Sequence, residues 1–170
     1  GDRLGIVIFA GEAYVHLPIT TDYSTAKLFL ESINTKIVPV QGTNIADAIN
    51  KAVESFGKDE GKNKAIVIIT DGENNEEAQE SAIDAAEEAG KKNIVIHTIG
   101  VGSESGVPIP NIINGVVSGY KKDASGATVV TKLDAKILQD ISATTNGVYV
   151  QASSADVGLD EIMNKIAELD

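Results

Sequence analysis

Two loop residues carry chemistry: Thr43, in Gln41-Gly42-Thr43-Asn44, and Asp71, in Thr70-Asp71-Gly72-Glu73. A hydroxyl and a carboxylate are hard oxygen ligands that suit a cation such as Mg²⁺. Gly42 and Gly72 stand beside them and let the backbone turn tightly next to an ion. Both positions also have an ordinary reading: Thr43 or Asn44 caps the helix that follows, and Asp71-Gly72 is a plain turn.

The other reactive side chains point to less. Glu73, Glu76, Glu77 and Glu80 follow Asp71 closely, but carboxylates in the first turns of a helix stabilise its positive end. His97 lies inside an apolar run, as a packed or hydrogen-bonded residue does, and His16 is expected to be exposed on an edge strand. There is no Gly-x-Ser-x-Gly elbow, no Gly-x-Gly-x-x-Gly and no Gly-x-x-x-x-Gly-Lys-Ser/Thr loop. Cysteine is absent, which removes disulfides, thiolate metal sites and thiol redox chemistry.

The elements that position Thr43 and Asp71 follow from periodicity. Leu4 to Ala10 and Lys64 to Thr70 are nearly continuous apolar runs, as in strands covered by helices on both faces. Gly11-Glu12 turns the first run into an antiparallel edge strand, Ala13 to Leu17. Thr21-Asp22 caps a helix with Ala26, Leu28, Phe29 and Ile33 on its apolar side. Ile45, Ala48, Ile49, Ala52, Val53 and Phe56 give a second helix its buried stripe. An acidic helix from about Glu76 to Ala89 leads to the strand Asn93 to Ile99.

The segment from Ser103 to Lys132 breaks the pattern with Pro108, Pro110, Gly115, Gly119 and Gly126. It reads as an inserted hairpin, Val116 to Lys121 against Ala127 to Lys132, turning at Asp123-Ala124-Ser125-Gly126. A long ordered excursion of this kind is a candidate partner surface. Leu133 to Thr145, Gly147 to Gln151 and Asp156 to Leu169 supply a helix, a strand and a closing helix. The fold class is therefore α/β: a doubly wound, mostly parallel sheet with one antiparallel edge strand, in a single domain over residues 1–170. In such sheets the loops after the parallel strands share one end, where ligands bind.

Composition agrees with a folded domain and narrows its partners. Of the 170 residues, 42% are hydrophobic, far from the signature of disorder. The net charge of −11 argues against nucleic acid, which needs clustered lysine and arginine, and permits a cation or a basic partner. No apolar run reaches the roughly 20 residues that span a bilayer, so no membrane contact by this segment is expected. The chain enters an apolar strand directly after Gly1-Asp2-Arg3 and reads as a piece of a longer protein.

Taken in order, these stretches resemble a von Willebrand factor A domain. The residues that carry the resemblance are Ile8-Phe9-Ala10 with its hairpin, Gly42-Thr43-Asn44, Ile68 to Glu73, Ile96 to Gly102, and Asn146-Gly147-Val148-Tyr149. Phe9 to Tyr14, Leu17 to Tyr23, Gln41-Gly42-Thr43, Asp71 to Asn74 and Pro108-Ile109-Pro110 are similar to the bacterial aerotolerance (Bat-type, BatB-like) branch.

The resemblance implies a non-enzymatic protein-interaction module. Its metal-ion-dependent adhesion site (MIDAS) would bind Mg²⁺, Mn²⁺ or Ca²⁺, with Thr43 and Asp71 as two ligands and a partner's acidic side chain completing the coordination. It also implies an inner-membrane-anchored parent protein with the domain facing the periplasm. The family's first strand, with its Asp-x-Ser-x-Ser motif, is expected upstream of Gly1. Without it the metal site is incomplete and binds weakly or not at all. Either the strands from Leu4 and Lys64 then close up and pair directly, or a swapped or sheet-edge dimer fills the gap, or a proteolytic fragment or residues beyond this sequence fill it. Two rival readings stand beside this one: a metal-independent scaffold binding through residues 103–132, and an α/β enzyme using Asp71 with Glu73.

Overall fold

The run Lys64-Ala65-Ile66-Val67-Ile68-Ile69-Thr70 forms a strand that pairs in parallel with Ile94–Gly100 and buries Ile66 and Ile68 in the core. A computed structural model describes residues 1–34, 37–57, 63–73, 76–153 and 157–168 of the chain. In chain order the elements are β1 (Leu4–Phe9), β2 (Ala13–Thr20), α1 (Tyr23–Glu31), α2 (Ile45–Ser55), β3 (Lys64–Thr70), α3 (Glu76–Lys91) and β4 (Ile94–Gly100). They continue with β5 (Val107–Pro108), β6 (Pro110–Ile113), β7 (Val116–Tyr120), β8 (Val130–Thr131), α4 (Ala135–Thr144), β9 (Tyr149–Gln151) and α5 (Leu159–Ala167).

The strands β3, β4 and β9 make a parallel sheet in that order, and β1 pairs with β2 as an antiparallel hairpin. The fold class is α/β, as the alternation of elements predicts. Of the ways to compensate for a missing central strand, direct closing of the sheet does not occur. Among the described residues β1 and β3 do not pair, and each keeps one edge with no strand partner. Unpaired strand edges leave backbone N–H and C=O groups for another strand to take.

One face of the parallel sheet is well covered. Ile66, Ile68, Ile94 and Ile96 pack in one core with Ile45 and Ile49 of α2, Ala82, Ala85, Ala86 and Ala89 of α3, and Leu138 and Ile141 of α4. Alanine along α3 lets that helix approach closely. On the other face His97 and Ile99 are buried, but Ile69 is 55% exposed, so β3 is not covered on both sides as its apolar run suggests.

The same shortfall affects α1. Its expected apolar side buries only Ala26, leaving Leu28, Phe29 and Ile33 exposed, because among the described elements α1 packs chiefly on the two-stranded β1–β2 hairpin. His16 differs from expectation in the opposite direction. It is half-buried, edge-on to the Phe29 ring, and hydrogen-bonds the Phe29 carbonyl and the Ser32 hydroxyl.

Local signals set the helix starts. Asp22 caps α1 by accepting from Thr25 N at 3.0 Å, and Asp134 caps α4 by accepting from Ile137 N at 3.3 Å. Beyond α4, Thr145 completes the ladder of β4 where β9 is too short to reach: its Oγ1 accepts from Ile96 N at 2.8 Å. The closing helix is shorter than the expected Asp156 to Leu169, whose two end residues lie outside the described ones.

The insertion is organised differently from the expected hairpin. Its longest pair is β6 with β7, joined by the two-residue turn Asn114-Gly115, both at positive φ (51° and 79°). That is the turn chemistry favoured in tight hairpins, because its twist matches the strands. The Asp123–Gly126 turn also forms, closed by a Lys122–Thr128 bridge, while β8 pairs with β5.

His97 makes stability depend on pH. Its Nδ1 accepts from Val148 N at 3.2 Å, which places the neutral ring's proton on Nε2, a buried atom with no partner among the described residues. Burial holds the imidazole below its ordinary value of 6.5, so the unfolded chain binds this proton more readily than the folded one. Stability is then full above 6.5 and falls as pH drops below it, with a slope approaching about 1.4 kcal/mol per pH unit. The depressed carboxyls of Asp22, Asp123 and Glu88 lose their contribution at more acidic pH. Urea midpoints measured from pH 7 to pH 5 should therefore decline in the parent and flatten in His97→Asn.

Candidate functional site

Thr43 sits on a loop fastened to the end of β1. Asn44 N donates to the Ala10 carbonyl at 2.8 Å and Gly11 N to the Val40 carbonyl at 3.0 Å. Asn44, and not Thr43, caps α2, accepting from Asp47 N at 3.0 Å through Oδ1. Asp47 then accepts from Ala13 N at 2.7 Å, tying the first turn of α2 to the start of β2. Thr43 is left half-buried, with its hydroxyl free of the capping role.

Asp71 directly follows the last residue of β3. Its carbonyl accepts from Asp134 N at 2.8 Å, and its Oδ1 accepts from Glu73 N at 3.3 Å. The remaining contact comes from the insertion. Thr131 Oγ1 lies 3.3 Å from Asp71 Oδ2 and 3.2 Å from Glu73 Oε2, and Lys132 N donates to Glu73 Oε1 at 3.2 Å. Beside this cluster is an open cavity of about 300 Å³, lined by Asp71, Val101, Gly102, Ser103, Thr131 and Leu133.

Each predicted ligand therefore ends at the C-terminal edge of a strand, Thr43 at β1 and Asp71 at β3. Among the described residues no hydrogen bond joins the two, and no group of three or more His, Asp or Glu side chains is placed to hold a metal. A hydroxyl and a carboxylate have the right chemistry for a hard cation, and they would supply two of the six oxygens of an octahedral Mg²⁺ shell. Thr131 was not anticipated as a neighbour of Asp71, and its position in an inserted segment carries no motif by which to find it. Of the acidic run after Asp71, the side chains of Glu76 and Glu77 lie outside the described residues.

The order of elements, the loops at the ends of β1 and β3, and the insertion after β4 agree with one profile. The von Willebrand factor type A domain matches residues 1–165. The chain belongs to the von Willebrand factor type A domain family.

Two solved structures are similar over nearly its whole length. An aerotolerance-related membrane protein from Bacteroides fragilis is 39% identical with a TM-score of 0.86, over 98% of this chain and 80% of that one. The conserved hypothetical protein BatB from Bacteroides thetaiotaomicron is 40% identical with a TM-score of 0.85 and the same coverage. The mussel byssus proximal thread matrix protein 1, solved with a zinc-occupied MIDAS motif, shares the fold at 20% identity and a TM-score of 0.64, over 99% of this chain and 35% of that one. No curated protein matches. Von Willebrand factor A domains are protein-interaction modules, and zinc occupies the adhesion site of the mussel relative. Among the described residues, no helix of this one is long and apolar enough to cross a membrane.

Proposed function

We propose that this von Willebrand factor A domain is a non-enzymatic, metal-dependent protein-interaction module of a membrane-anchored, aerotolerance-type protein, and that it faces the periplasm. Thr43 and Asp71 are two ligands of its adhesion site. An Asp-x-Ser-x-Ser loop preceding Gly1 supplies the others, and a partner's carboxylate takes the open position on Mg²⁺, Mn²⁺ or Ca²⁺.

The observation that carries this reading is the break between β1 and β3. Each strand has an unpartnered edge, and a candidate ligand lies at the C-terminal end of each. One added strand in that gap would pair both edges and bring its own terminal loop alongside Thr43 and Asp71. The similarity to the two Bacteroides proteins, of which this chain covers 80%, supports a longer parent. An enzymatic role for Asp71 finds less support: its nearest functional neighbours are Glu73 and Thr131, which supply no cationic or imidazole partner.

The test uses the complete protein. Asp71→Ala is expected to abolish Mg²⁺- or Mn²⁺-dependent partner capture while leaving the melting temperature within about 2 °C, as for a substitution at a half-buried loop residue. Capture that persists in Asp71→Ala, or that is indifferent to chelator, would overturn the adhesion-site reading and favour the metal-independent scaffold.

A further inference from the structure

The β6–β7 ribbon presents an apolar end that none of the described residues covers. Ile112 pairs with Val117 and Ile113 with Val116, directly behind the Asn114-Gly115 turn. All four side chains are exposed, from 56% to 68%. Successive residues of a strand point to opposite faces, so one pair projects from each side of the ribbon. A hairpin that docked sideways on a partner would bury one face and keep the other polar. Here both faces are aliphatic at the tip, which is the form of an element that enters its environment end-on.

Charge identifies that environment. From Val107 to Lys122 the segment contains Lys121 and Lys122 and no aspartate or glutamate, in a chain of net charge −11. Tyr120, also exposed, stands immediately before the lysines. At about 3.3 Å per residue, the two steps from the Ile112–Val117 pair to the Asn114-Gly115 turn reach roughly 7 Å along the ribbon, within the depth at which amphipathic elements sit in a bilayer interface. Tyrosine and lysine behind such a tip fall at headgroup level, where an amphipathic ring and a cation are favoured. Asp123 is the one acidic residue next to the pair. Its carboxylate is engaged within its own turn by Ser125 and Ala127.

We propose that the β6–β7 hairpin is a membrane-interface wedge whose tip, Ile112, Ile113, Val116 and Val117, enters an anionic bilayer surface while Lys121 and Lys122 meet its phosphates. The acidic remainder of the domain is thereby oriented away from the lipid. This differs from the expectation that the segment makes no membrane contact, and it does not depend on the metal-site reading.

The absence of tryptophan gives a clean probe, because Val116→Trp places the sole indole at the tip. Vesicles of phosphatidylcholine alone are compared with vesicles containing equal parts phosphatidylglycerol. The 170-residue chain is expected to sediment with the anionic vesicles, and Val116→Trp emission to shift to the blue on binding. Combining Ile112→Asn with Val117→Asn should weaken binding about tenfold or more, and added salt or Lys121→Ser with Lys122→Ser should weaken it by a similar factor. These positions are exposed, so the far-ultraviolet circular dichroism should not change. Failure to sediment, equal binding to phosphatidylcholine alone, or full binding by the Ile112→Asn, Val117→Asn variant would each overturn the wedge. So would tip-dependent self-association in sedimentation velocity, which would assign the tip to a second copy of the chain instead.

Discussion

Replacing Gly147 with alanine is expected to destabilise the domain by about 3 kcal/mol or more. A Cβ built on Gly147 would lie 1.8 Å from the Ile96 carbonyl oxygen and 2.7 Å from its carbonyl carbon. Neither atom belongs to a flexible side chain. Ile96 is held in β4, opposite Ile66 of β3, and Gly147 N is itself bonded to the Ser142 carbonyl at 2.8 Å. Relief would therefore have to separate the end of α4 from the sheet or pull β9 out of register. The neighbouring Asn146 takes the left-handed conformation that ends α4 (φ 58°), so the two residues divide the work of the turn between them. For a domain of this size the loss corresponds to a fall in melting temperature of roughly 10 °C. A measured change below about 1 kcal/mol would show that the close approach over Ile96 is not maintained in solution.

The second large effect falls beside Asp71. Gly72 has a φ of 69°, and a Cβ there would lie 2.8 Å from the Asp134 carbonyl oxygen and 3.1 Å from Leu138 Cγ. The left-handed backbone costs a residue with a side chain about 1 kcal/mol, and overpacking against a fixed carbonyl adds roughly 2 kcal/mol. Gly72→Ala should thus cost about 3 kcal/mol. Gly57→Ala is the control, since Gly57 has a similar φ of 62° with no atom of the described residues within 4 Å of its Cβ position. It should show only the first contribution, about 1 kcal/mol. The difference between the two urea-unfolding free energies isolates the packing of the Asp71 loop on α4. Because Asp134 N holds the Asp71 carbonyl at 2.8 Å, Gly72→Ala should also shift Asp71 relative to Thr131. Equal losses in the two variants would show that the loop yields freely.

Much of this architecture was legible from residue order. The apolar run Lys64 to Thr70, the stripe Ile45, Ala48 and Ile49, and the caps Asp22 and Asn44 act within one or two turns of the chain, where periodicity and hydrogen-bonding side chains decide the outcome. Asn114-Gly115 was equally local, and the dipeptide between two apolar pairs marks the β6–β7 hairpin more directly than the Asp123–Gly126 turn does. Burial was less legible. Leu28, Phe29 and Ile69 have the side chains of core residues, yet they are exposed, because burial depends on what lies across from them.

By itself the sequence determined the α/β class, the family resemblance, and two loop residues, Thr43 and Asp71, suited to a hard cation. Only the tertiary structure decided that β1 and β3 stand apart and that Thr131 reaches Asp71 from 60 residues away. The physical reason is one of range. Turn chemistry and hydrophobic period are properties of adjacent residues, whereas an unpaired strand edge or a contact made by an insertion exists only once distant segments have packed against one another.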